Sequence, residues 1–161
     1  MCDIANASNR RWEDYHKRCL DYISRWVTLF AHYCEIPESS IDLYKWNGER
    51  GDRCVLKPPD NGKFSAYGAA VHDEKSNCWA VGVVIRLGRH AAPANIVYFP
   101  LFIGENNRQP TIRIGWIGDA KPLDLENAID LYESFDSVME LIKGLYGGTQ
   151  SEGKKGIGIH A

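Results

Sequence analysis

The stretch Cys78–Leu87 alternates without interruption. Trp79, Val81, Val83, Ile85 and Leu87 fall on one side, and Cys78, Ala80, Gly82, Val84 and Arg86 on the other. Successive side chains of a strand point to opposite faces, and the β-branched content suits a pleated surface. The stretch therefore predicts a strand with one continuous apolar face. Such a face needs a second layer, so the rest of the chain has to supply one.

The flanking segments extend the sheet. Phe64–His72 predicts a strand, Asp73–Asn77 a polar turn, and Ile96–Ile103 and Thr111–Ile117 two further strands. Cys54–Lys57 predicts a short edge strand. Together they read as an antiparallel meander of four or five strands. Pro100 has no N–H to give to a ladder, which places its strand at an edge or at a bulge. On the face opposite Val81 and Val83, Ala66, Gly68, Ala70, Ala80 and Gly82 make one part smooth. Ile96, Tyr98 and Phe102 make another part apolar, so either a helix or a partner covers that face.

Two amphipathic helices bracket the sheet. Trp12, Cys19, Ile23, Trp26, Phe30 and Tyr33/Cys34 recur at helical steps over about Asn9–Glu35. Ser8 or Asn9 is its expected N-cap, Asp14–Arg18 and Asp21–Arg25 are expected i,i+4 pairs, and Pro37 closes it. A second helix is expected over Asp124–Tyr146, with Leu125, Ile129, Tyr132, Phe135, Met139, Ile142 and Tyr146 as its apolar stripe. Gly147-Gly148 ends it. Residues 36–63 are irregular, with a short helix expected over Ser39–Trp46. The fold class is therefore α+β: an antiparallel sheet packed with a long N-terminal and a long C-terminal helix. Residues 1–148 are expected to form one domain and 149–161 a flexible Gly- and Lys-rich tail.

Composition narrows the function classes. The 161 residues carry 19 Lys and Arg against 21 Asp and Glu, a net charge of −2, which does not suit a polybasic nucleic-acid binder. The first residues are polar and lack the apolar core of a secretory signal. Five scattered cysteines, an odd number, suit reduced thiols better than a disulfide framework. The expected location is cytoplasmic.

Motifs for chemistry are sparse. Gly148–Lys155 spells GxxxxGK, but Lys155 stands where a Ser or Thr would hold magnesium, and the segment follows a helix rather than a strand. There is no CxxC and no HExxH, and no metal or cofactor is expected. Cys54 with His72, or Cys78 with His90, are possible nucleophile–base pairs among many and single out nothing. A metal-dependent phosphodiesterase or nuclease would need carboxylates such as Glu49, Asp52, Asp60 and Asp73 to converge. Asp73-Glu74-Lys75 reads as a solvated hairpin tip.

Charge distribution is more informative. Residues 81–118 carry Arg86, Arg89, Arg108 and Arg113 against Glu105 alone, whereas residues 119–146 carry seven carboxylates against Lys121 and Lys143. Glu126, Asp130, Glu133 and Glu140 recur at helical steps on the last helix, an acidic face for a basic partner. Tyr44 and Trp46, near Arg50 and Arg53, either anchor an interface or close over the core. These features favour a small protein-binding module of inhibitor, immunity or adaptor type, without catalysis. The competing expectation is nucleotide or single-stranded nucleic-acid binding on the sheet, with Arg86, Arg89 and Arg113 on phosphates and Tyr98 and Phe102 stacking on bases. A nuclease is third.

Overall fold

A computed structural model describes residues 2–47, 55–56, 64–87, 96–115, 119–147 and 158–160. Helix α1 (Cys2–Tyr33) is followed by a single 3-10 turn and β1 (Ile41–Trp46), then β2 (Val55–Leu56). A one-turn helix α2 (Ala66–Ala69) leads into β3 (Val71–Asp73), β4 (Cys78–Arg86), β5 (Ile96–Asn106), β6 (Gln109–Ile114) and β7 (Lys121–Pro122). Helix α3 (Ala128–Gly147) and β8 (Gly158–His160) complete the order. The class is α+β, with an antiparallel sheet that packs one face against the long N- and C-terminal helices.

The sheet is built on two long central strands. Its order is β2-β1-β4-β5-β6-β7, and all pairs are antiparallel. β4 meets β5 along eight residue pairs, from Trp79 with Ile103 to Arg86 with Ile96. On its other side β4 is shared between β1, at Gly82–Ile85, and β3, at Cys78–Ala80. β5 is likewise shared between β6, at Leu101–Asn106, and β8, at Ile96–Tyr98. Residues 149–157 lie outside the described residues.

Pro100 therefore lies in an interior strand, not at an edge. Its carbonyl accepts from Gly115 N–H at 2.8 Å, on the side away from β4. A strand residue's N and O point the same way, so the missing N–H faces the gap where β6 ends and β8 takes over.

Two local expectations are corrected. Ile41–Trp46 is a strand, not a helix: Ile41 and Leu43 join the apolar core while Tyr44 and Trp46 pack on the opposite face. The first half of the expected strand Phe64–His72 is the helix α2, because the Ser65 side chain accepts from Gly68 N–H at 3.2 Å and caps it.

The apolar face of β4 is covered as its alternation requires. Trp79, Val81, Val83, Ile85, Val97, Phe99, Leu101 and Ile103 share one buried cluster with Cys19, Ile23, Trp26 and Phe30 of α1 and Leu131, Phe135, Val138 and Ile142 of α3. Trp26 stacks on Phe30 at 5.0 Å and meets the edge of Phe135 at 5.6 Å. Its indole N–H donates to Ser134 Oγ at 3.0 Å, and that hydroxyl donates to the Leu131 carbonyl at 2.7 Å.

The helix ends also differ from expectation. α1 begins at Cys2, so neither Ser8 nor Asn9 caps it. Its C-terminus closes with Glu35 at φ 54°, Ile36 N–H on the Ala31 carbonyl and Glu35 N–H on the His32 carbonyl, the Schellman arrangement. α3 begins at Ala128, with Ile129 N–H on Asn127 Oδ1 at 3.0 Å. Among the described residues, no helix is long and apolar enough to cross a membrane.

Candidate functional site

The buried stripe of α3 leaves part of the expected one outside. Leu131, Ser134, Phe135, Val138 and Ile142 face the core, whereas Ile129 is 68% and Tyr132 52% exposed. They share the outer surface with Glu133, Asp136 and Glu140. Tyr33, at the end of α1, extends this surface. Its ring lies 5.4 Å from that of Tyr132, and its hydroxyl donates to Asp136. The hydrogen bond to Asp136 holds the Tyr33 phenol above its usual range.

The four expected acidic residues separate in role. Glu126 lies before the helix and pairs with Arg25 at 2.7 Å, so Arg25 does not serve Asp21. Asp130 accepts from Asp124 N–H at 3.1 Å and helps close the helix entry. Glu140 pairs with Lys143 at 3.3 Å. Glu133 has no ion pair among the described residues and opens, with Asp130 and Ser137, into a groove of about 230 Å³ beside β6 and β7.

The second sheet face is covered in a different way. Tyr98 and Phe102 are each 1% exposed. The Arg113 guanidinium lies 3.9 Å over the Phe102 ring, and Trp46 meets that ring edge-on at 4.9 Å. Arg86 pairs with the buried Asp42. These arginines and aromatics thus engage one another, and neither buried ring offers a base a surface. Tyr44 and Trp46 are strand residues packed on this face. Arg50, Arg53 and Arg89 lie outside the described residues, as do Glu49, Asp52, Asp60, Cys54 and His90. Asp73 closes its own turn through Ser76 N–H at 3.3 Å.

One aromatic cluster is not anticipated by the sequence reading. His16 stacks on Trp79 at 3.8 Å, and the Tyr67 ring lies 5.5 Å from the imidazole. Trp12 meets His72 edge-on at 4.7 Å and lies 6.0 Å from Trp79. His72 Nε2 is 3.0 Å from Asn77 Oδ1, and the Tyr15 hydroxyl donates to the Asn77 carbonyl at 2.6 Å. Burial, and secondarily the nearby His72, holds the His16 imidazole below its ordinary pKa. Trp12 is 44% and Tyr67 73% exposed. The available signal is the i,i+4 spacing of Trp12 and His16, which reads equally well as a core stripe.

The buried thiols are not poised for attack. Burial pushes Cys19 up to about 12, against ordinary thiols near 8.5, and raises Cys34 as well. Among the described residues, no group of three His, Cys, Asp or Glu side chains gathers to hold a metal. Compared with protein-family models, with curated proteins and with solved structures, the chain matches none.

Proposed function

We propose that this chain is a non-catalytic protein-binding module, of the inhibitor, immunity or adaptor kind, that docks a basic partner on the outer surface of α3. The observation that carries this reading is the exposure of Ile129 and Tyr132 beside Tyr33, flanked by Glu133, Asp136 and Glu140. A rigid aromatic and aliphatic centre with a charged rim is the anatomy of a protein interface. The net negative rim, in which Lys143 offsets only Glu140, selects for Lys and Arg on the other side and makes association salt-dependent. The free thiols of Cys19, Cys34 and Cys78 suit a reducing compartment.

Affinity capture from the native host, comparing the natural chain with Tyr132→Ala/Glu133→Lys, tests this. Both positions are exposed, and neither takes on the helix-entry and ion-pair duties of Asp130 and Glu126. The expected result is loss of a basic partner, with affinity reduced about thirtyfold, or ~2 kcal/mol, and an unchanged melting temperature. Equal capture by the natural and doubly substituted chains removes the proposal.

A further inference from the structure

The sheet face expected to bind nucleotides is closed by its own residues, but the other end of the molecule holds an open cleft with the right chemistry. It measures about 400 Å³ and lies between the N-terminal part of α1 and the β5–β6 turn, lined by Ser8, Arg11, Trp12, Asn77, Glu105 and Arg108. Ligand pockets span roughly 300–1,000 Å³.

Three features give the cleft a character. First, Trp12 is exposed yet held by ring contacts to Tyr15, His72 and Trp79. A rigid, half-open indole loses little freedom when a flat group stacks on it. Second, the acid in the cleft is already neutralised. Glu105 takes both arms of the Arg18 guanidinium, at 2.7 and 3.0 Å, so Arg18 does not serve Asp14. Arg11 and Arg108 have no ion pair among the described residues, which leaves the cleft with two free guanidinium groups. Third, Arg108 occupies a strained position. Asn107 and Arg108 form the two-residue β5–β6 turn at φ 50° and 66°. Turns with positive φ at both centres favour Asn-Gly, and an arginine there costs the backbone conformational energy. The turn aims a cation at the cleft where glycine would be the relaxed choice.

We propose that this cleft binds a nucleoside phosphate, with the base stacked on Trp12 and the phosphates held between Arg11 and Arg108. Asn77, whose Oδ1 is engaged by His72, retains its Nδ2 as a donor for the ligand. Guanidinium groups suit phosphate oxygens because their paired N–H donors match them in geometry and charge. The site is separate from the α3 surface and does not depend on it.

Titration calorimetry with adenosine diphosphate at low salt tests the assignment, with adenosine and pyrophosphate as controls and a tetrathymidylate strand as a second probe. Binding of either the diphosphate or the strand is expected, and the tighter of the two distinguishes a free nucleotide from a nucleic-acid end. Trp12→Leu is expected to weaken binding about tenfold. Arg108→Gly is the decisive variant, because it relaxes the turn. It is expected to weaken binding about tenfold while the melting temperature holds or rises. Absence of binding by both probes, pyrophosphate binding as tightly as the diphosphate, or unchanged affinity in Arg108→Gly each overturns the proposal.

Discussion

The two faces of the same sheet are built on different principles. On the helix-covered face, alternate residues of β4 and β5 merge with α1 and α3 into one continuous apolar cluster. On the opposite face the buried residues form two small clusters, one around Val84 and Tyr98 and one around Ala80 and Phe102. The break between them is the cross-strand pair Gly82–Pro100, which offers no large side chain. Trp46 packs on both clusters and spans the gap. Charged groups finish the cover, with Arg113 on Phe102 and Arg86 on Asp42. One face is thus bound by bulk apolar packing, the other by Trp46 with Tyr44, Ile96 and a few cation contacts.

The largest expected effect tests this difference directly. Phe99→Ala opens a cavity in the continuous cluster and is expected to cost about 4–5 kcal/mol, the upper part of the range for such truncations. Trp46→Ala is expected to cost about 2 kcal/mol, because Trp46 is only half-buried and long neighbours such as Arg113 can settle into the space. Urea denaturation of both variants checks the ratio. Equal losses would mean that the second face is as integral as the first. No loss at Trp46 would mean that its indole is available to a partner.

A smaller effect comes from the polar atoms that each face buries. Between the helices, the Trp26 indole N–H is satisfied by Ser134. Ser134→Ala leaves that donor buried and unpaired, at an expected cost of about 1.5 kcal/mol. On the second face the Trp46 Nε1 is buried without a hydrogen-bond partner among the described residues, so Trp46→Phe removes an unsatisfied donor and is expected to change stability by less than about 0.5 kcal/mol. Paired melting curves check the contrast. A loss in Trp46→Phe matching that in Ser134→Ala would erase it.

How far each face is legible in the sequence follows from the same physics. The period of Cys78–Leu87 identifies the helix-covered face because a two-residue repeat of large apolar side chains has one structural meaning. Ile41–Trp46 is ambiguous, since Ile41 with Tyr44 and Leu43 with Trp46 also stand at the three-residue step of a helix, and only pairing with β4 decides it. Helix stripes show which residues are aligned but not which of them find a floor. α1 has 32 residues and is ~48 Å long, whereas the nine residues of β4 span ~30 Å. The helix overhangs the sheet, and its terminal stripe members Trp12 and Tyr33 emerge at the surface. Both become parts of candidate sites for that reason. The acidic repeat on α3 is visible in sequence, but the capture of Glu126 by Arg25 depends on how the two helices meet.

At the overhanging end, the helix-covered face carries one titratable group that sharpens the comparison. His16 stacks on Trp79, and its Nε2 is buried without a hydrogen-bond partner among the described residues. Burial, with His72 nearby, lowers its pKa in the folded chain, so between that value and the unfolded value near 6.5 the unfolded chain binds more protons. Stability is then fully present above about pH 6.5 and declines as the pH falls through 6.5 toward the folded value. The expected slope is small because the ring is partly solvated, which screens the penalty of charging it. Melting temperatures of the natural chain between pH 7.5 and 5 should therefore fall more than those of His16→Phe, which keeps the stacking surface and removes the titration. Parallel curves for the two proteins would show that this end of the cluster is as open to solvent as the polar rim of the opposite face, and that α1 does not seal its stretch of the sheet.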